Sequence, residues 1–194
     1  MTDFIALANT GVQGLRPYQA GKPIEELERE LVLKNVFKLA INENPLGPSP
    51  VALAAAQKAA EGMHLYPDSN GFELKAALSA SLNAPGASIA SEQLTLGNGS
   101  NDVLDLIARA YLEPGKSAVY SAHAFVVYPI AVQACGARAI VTPAKNWGHD
   151  LEAMAAAIEP DTRVVFIANP NNPTGTWLTE TNIRAFMATV ASDV

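Results

Sequence analysis

Cysteine occurs once in the 194 residues, at Cys135, so no internal disulfide can form and no cysteine-rich metal cluster is available. Charge is sparse: 16% of residues, 13 basic against 19 acidic, net −6. That balance excludes the basic face that nucleic-acid binding requires. Long apolar runs are missing too. None approaches the roughly 18 residues that cross a bilayer, and the opening MTDFIALANTG has neither the basic start nor the apolar stretch of a secretion signal. Lysine is absent after Lys145. What is present is 49% hydrophobic residues, too many for a disordered chain. These readings predict a soluble, cytoplasmic, mildly acidic α/β protein with no membrane, nucleic-acid or metal partner.

The chain changes character along its length. Leu27 and Leu31, four apart in a charged run, predict a short solvated helix over 25–31. Pro45, Pro48 and Pro50 stiffen a loop over 42–50, with Ser49 as N-cap candidate and Pro50 as first residue of an alanine-rich helix to about 61. A second loop spans 66–71, and 72–82 reads as helix. From Ser91 onward, short apolar runs at 93–96, 117–120, 137–142 and 163–168 alternate with helical patterns at 101–112, 126–135, 151–158 and 179–190. That alternation predicts an α/β fold: a mostly parallel sheet with helices on both faces. The run 164–167, apolar at every position, reads as the most buried strand. Val103, Leu104, Ile107 and Tyr111 read as one stripe of their helix, and the Leu104, Ile107 and Tyr111 face, like that of the 179–190 helix, is expected to need the rest of the sheet or a partner chain to cover it. The chain stops just after its last helix, as an incomplete sheet would.

Three strand-end segments carry candidate chemistry. Gly97-Asn98-Gly99-Ser100-Asn101 leads from a predicted strand into a helix whose first N–H groups lack internal partners. This is an anion site, most naturally for phosphate, with Gly97 and Gly99 letting the backbone approach the ligand. The alternative is a plain turn in which Ser100 or Asn101 caps the helix. The spacing lacks the third glycine of a dinucleotide fingerprint, and no nucleotide-binding lysine loop occurs. Asn169-Pro170-Asn171-Asn172-Pro173-Thr174-Gly175 follows the apolar run, where open α/β sheets bind ligands. Its asparagine density suggests aimed side chains; the alternative is a rigid turn. Phe125 either stacks on a flat ligand or fills core, and His123 reads as a hydrogen-bonded surface or core imidazole.

These segments, with Asn42-Glu43-Asn44-Pro45-Leu46-Gly47-Pro48, Tyr66-Pro67-Asp68 and the Arg16-Pro17-Tyr18 arm, resemble the histidinol-phosphate aminotransferase family of fold-type-I pyridoxal-phosphate aminotransferases. The resemblance implies pyridoxal 5'-phosphate as cofactor. Gly99, Ser100 and Asn101 would hold its phosphate, Phe125 would stack on its ring and Asn172 would donate to its phenolic oxygen. Tyr66 would reach the phosphate of the neighbouring subunit in a homodimer, and Tyr18 and Asn44 would lie near the substrate. It further implies amino transfer between L-histidinol phosphate and 2-oxoglutarate in histidine biosynthesis. The rivals are an aromatic amino-acid aminotransferase, a phosphothreonine decarboxylase of the same branch, or a non-catalytic module needing a second chain.

The Schiff-base lysine that such a cofactor needs lies beyond the Asn-Pro-Thr-Gly loop in the family, where this chain has no lysine, so no catalytic residue is assigned here. The resemblance therefore implies the N-terminal half of an enzyme, inactive alone. Residues 1–70 would be an N-terminal arm and small-domain or interface segment, and 71–194 the first half of the cofactor-binding large domain. Such a fragment is expected to need its other half or an oligomer to stay in solution.

Overall fold

The computed structural model describes residues 3–18, 21–39, 41–83 and 88–194. They fall into two compact units, Gln19–Leu96 and Met1–Tyr18 with Gly97–Val194. These units divide the chain at other places than the expected 70/71.

The unit Gln19–Leu96 carries three helices: α1 (Ile24–Leu31), α2 (Pro50–Ala60) and α3 (Phe72–Leu82). Pro50 opens α2 as its spacing predicts, but Ser49 makes no side-chain capping bond. At α3 the N-cap is Gly71, and Asp68 ahead of it binds the helix start. Its Oδ2 accepts from the Phe72 N–H at 2.7 Å and its Oδ1 from the Asn70 N–H at 3.0 Å, which holds the carboxyl below its ordinary range. The far end of α3 ties to the segment after it: Ser79 donates to the Ile89 carbonyl at 2.5 Å, and Asn83 Oδ1 accepts from the Ile89 N–H at 2.6 Å. Those bonds tie α3 to the segment after it within its own unit.

The expected strand at 93–96 is replaced by a 3-10 turn at Ser91–Gln93 and an extended Leu94. A strand needs a ladder, and no strand pairs with this segment among the described residues.

The second unit contains the sheet. After α4 (Gly99–Tyr111) come β1 (Ser117–Ser121), α5 (Val127–Ala134), β2 (Arg138–Thr142), the short strands β3 (Ala144–Lys145) and β4 (Gly148–His149), α6 (Leu151–Ala156), β5 (Thr162–Phe166) and α7 (Glu180–Met187). β1 lies between β2 and β5 and is parallel to both. Alternation along β1 builds three layers. Ala118 and Tyr120 meet Ala108 and Leu112 of α4, Tyr128, Ala131 and Val132 of α5, and Val164 and Phe166 of β5. Val119 points the other way, against Met154 of α6 and Phe186 of α7. Tyr128 stacks on Phe166 with ring centroids 4.6 Å apart and planes 13° from parallel. Burial in this layer pushes the Tyr120 and Tyr128 phenols upward.

Two expectations are corrected. β1, not β5, is the most buried strand, because it alone has a neighbour on each side; its polar ends Ser117 and Ser121 disguise this in the sequence. The buried face of α4 runs through Leu104 and Ala108 to Leu112 at its C-cap, four residues apart, while Ile107 and Tyr111 are exposed, the uncovered face that the sequence leads one to expect. Those two side chains border an apolar groove of about 850 Å³ beside β5, shared with Val165, Ile183, Met187 and Val190. The β3–β4 hairpin is absent from the sequence reading. Its turn residues Asn146 and Trp147 both have positive φ (51° and 64°), the backbone of a hairpin turn usually signalled by Asn-Gly. No described helix is long and apolar enough to cross a membrane.

Candidate active site

The loops after β1 and β5 leave the carboxyl end of the sheet side by side, and asparagines fix both. Asn169 pairs with the backbone of Leu178, its Nδ2 donating to the carbonyl at 3.1 Å and its Oδ1 accepting from the N–H at 2.8 Å. Asn171 is buried; its Nδ2 donates to the His123 carbonyl at 3.2 Å and to Thr174 Oγ1 at 2.7 Å. Asn172, half-buried, makes no side-chain hydrogen bond among the described residues. The density of amides is thus explained unevenly. Two build the turn, and one is left for something else.

Two residues past His123, the half-buried Phe125 ring packs edge-on to Tyr128, with centroids 5.9 Å apart. Phe125 and Leu104 of α4 flank the same core cluster. α4 returns to β1 through the short connection 112–116, so it runs back along the sheet and its N-terminus lies at the strands' carboxyl end.

That N-terminus has no side-chain cap. The helix starts at Gly99 with Asn98 as N-cap, so neither Ser100 nor Asn101 is the capping residue; both are exposed in the first turn. Asp102 turns its Oδ2 back to the Asn98 N–H at 3.0 Å. Gly99 has φ +77°, and a Cβ there would meet nothing within 4 Å, which leaves open space over the first helical N–H groups. Gly97 serves its own helix rather than a ligand: a Cβ would press on Asp102 and Val103 at 3.0 Å.

The remaining sequence candidates are exposed. Tyr18 belongs to the same unit as the sheet, and Tyr66 and Asn44 belong to the Gln19–Leu96 unit. Asn44 uses its amide locally, donating to the Gly47 carbonyl at 3.2 Å and accepting from the Leu46 N–H at 3.0 Å. Sequence reading missed His149. This buried imidazole donates through Nε2 to the Ala168 carbonyl at 3.0 Å, which supports the strand end just ahead of the asparagine loop. A histidine directly before the α6 cap Asp150 was the available signal.

A parallel sheet with helices on both faces, and loops gathered at the carboxyl end of its strands, defines an α/β domain of the open-sheet kind. Residues 34–193 match the family model of aminotransferase class I and II, and the chain belongs to that family. It is 58% identical, over 99% of its length, to histidinol-phosphate aminotransferase 2 of Pseudomonas fluorescens, of which it covers 51%. It is 60% identical, over 95% of its length, to histidinol-phosphate aminotransferase 1 of Thiobacillus denitrificans, of which it covers 47%. Among solved structures it is similar to histidinol-phosphate aminotransferase from Sinorhizobium meliloti in complex with pyridoxal-5'-phosphate. There the TM-score is 0.81 at 30% identity, over 93% of this chain and 47% of that one. The chain spans about half the length of the curated relatives it matches.

Proposed function

We propose that this chain works as the first half of a cytoplasmic pyridoxal-phosphate-dependent aminotransferase that moves an amino group from L-histidinol phosphate to 2-oxoglutarate in histidine biosynthesis. The observation that carries the reading is the asymmetry of the asparagine loop. Asn169 and Asn171 are engaged inside the fold, and the Asn172 amide has no partner among the described residues. The identity of more than half to named histidinol-phosphate aminotransferases supports the choice of substrate.

The residues present fit the cofactor. Pyridoxal phosphate, when bound, supplies an electron sink for the substrate's α-carbon. The Gly99 N–H is spent on the Gly97 carbonyl at 2.8 Å, so the first-turn N–H groups of Ser100 and Asn101, at the helix start that Gly99 opens, would take its phosphate, aided by the helix dipole. The Phe125 ring would lie against the pyridine, and the Asn172 amide would donate to the phenolic oxygen. Tyr66, wholly exposed, would serve the partner's site in a homodimer, with Tyr18 and Asn44 near the substrate. The outer side of β5, unpaired among the described residues, and the apolar groove beside it support completion of the sheet by further chain.

The test is a substrate panel on the full-length protein loaded with pyridoxal phosphate. L-Histidinol phosphate is expected to exceed phenylalanine and tyrosine in kcat/KM by about tenfold or more, the scale of one satisfied charge-assisted contact. Preference for the aromatic amino acids would replace the substrate assignment. The 194-residue chain alone, with no lysine after Lys145, is expected to give no turnover.

A further inference from the structure

Around Asn171 runs a set of contacts that the roles above leave unused. Besides its two side-chain bonds, its N–H donates to the Thr176 carbonyl at 2.7 Å, and its carbonyl accepts from the Gly175 N–H at 2.8 Å. Thr174 Oγ1 and Thr176 Oγ1 are hydrogen-bonded at 3.0 Å, and Thr176 Oγ1 reaches the Trp147 carbonyl at 3.5 Å. Trp147 closes the circuit: its ring lies 4.8 Å from that of His123, whose carbonyl accepts from Asn171. Three loops are joined in this way: the one after β1, the β3–β4 turn and the one after β5.

Two features mark Asn171 as more than a turn residue. It is only 4% exposed, and its Oδ1 is buried with no partner, so the position is kept despite an unsatisfied acceptor. His123, which receives its amide, sits at φ +58°, a backbone region uncommon for a non-glycine residue. The Asn171–His123 bond therefore sets the spacing between the two loops. One carries Phe125, two residues past His123; the other carries Asn172, next in the chain.

We propose that Asn171 is a positioning residue: by clamping the β5 loop to the β1 loop it holds the Asn172 amide and the Phe125 ring on the same ligand ring. This rests on the cofactor reading above, and the test separates the two. In the full-length protein loaded with pyridoxal phosphate, the bound cofactor's absorbance is titrated against pH and its dissociation constant is measured for Asn172→Ala, Asn171→Asp and the double variant. Asn171→Asp preserves shape and removes the donor to His123.

Asn172→Ala is expected to move the spectral midpoint. Asn171→Asp should move it in the same direction and weaken cofactor binding about tenfold, as loss of a buried hydrogen bond does. The double variant should move it no further than Asn172→Ala. If Asn172→Ala shifts the midpoint and Asn171→Asp does not, or if the two shifts add, the positioning role is wrong while the cofactor reading stands. If Asn172→Ala leaves the midpoint unchanged, the cofactor reading fails and takes this inference with it. Should Asn171→Asp not fold, Thr174→Val decides, since it removes the other acceptor of the same amide. It should reproduce the shift, and Thr174→Ser should restore the original midpoint; no shift with Thr174→Val overturns the proposal.

Discussion

The helices of the two units are built from similar residues and meet different fates. α2 (PVALAAAQKAA) and α3 (FELKAALSASL) are as rich in alanine and leucine as α5 is in alanine and valine. Yet α5 buries four side chains, while α1, α2 and α3 bury none. Every buried side chain among the described residues lies between Ala108 and Phe186. Apolar content is thus not what separates a core from a surface. α5 has a sheet to lie on, and a layer is buried only by another layer. In the Gln19–Leu96 unit, Val51, Leu53, Met63, Leu65, Phe72 and Leu74 stay exposed. Apolar side chains on that scale belong to a surface that assembly covers, as the proposed homodimer would do.

Truncation of matched side chains gives the largest expected contrast. Phe166→Ala and Met154→Ala remove fully packed side chains and should each cost about 3–5 kcal/mol in urea unfolding of the sheet unit. Phe72→Ala, at a residue 70% exposed, should cost under about 1 kcal/mol in the isolated chain. The same substitution should become severalfold more costly in the assembled protein. An equal loss from Phe72→Ala and Phe166→Ala in the isolated chain would break the comparison.

The same contrast governs how far the sequence could be read. Between 97 and 194, period-two and helical patterns coincide with real burial, so all the helices and three parallel strands lie within a few residues of their expected places. The errors there are errors of environment. β1 hides its central place behind Ser117 and Ser121, and its neighbour β5 looks more apolar than it is buried. The 93–96 segment has strand composition and no ladder. Within the candidate site, the asparagine run was legible from its motif, but which of its side chains has no partner among the described residues depends on groups far away in sequence, such as His123 and Leu178. His149 and the Trp147 turn depend on the same kind of contact, which no local pattern records.

Two glycines open helices with positive φ, one in each unit: Gly71 before α3 (62°) and Gly99 at the start of α4 (77°). Alanine at either should cost about 1–2 kcal/mol from the left-handed backbone alone. A Cβ at Gly71 would also meet the Leu96 side chain, whereas at Gly99 it would meet nothing. Only the Gly99 change should weaken binding of pyridoxal phosphate, measured by fluorescence titration of the full-length protein. A comparable loss from Gly71→Ala would mean that the open helix start is not what distinguishes the α4 end.

The smallest contrast concerns two carboxylates, the exposed Asp68 and the half-buried Asp161, whose pKa values are lowered for different reasons. Asp68 is held down first by the N–H groups of Phe72 and Asn70 and only then by the charge of Lys75, whereas Asp161 is held down chiefly by the Arg138 guanidinium at 2.9 Å. In both, the folded value lies below the ordinary 3.8. Each therefore stabilises the fold fully above that pH and loses its effect as pH falls through the folded value, where the native carboxylate takes up its proton. Salt should separate them. At about 1 M NaCl the screening length falls to about 3 Å, which weakens a partly exposed ion pair and leaves short backbone hydrogen bonds in place. In a carboxyl-carbon NMR titration, Asp161 should then move up toward its ordinary value while Asp68 stays low. If Asp68 rises as far as Asp161, the Lys75 charge, and not the N–H groups at the start of α3, is what lowers it.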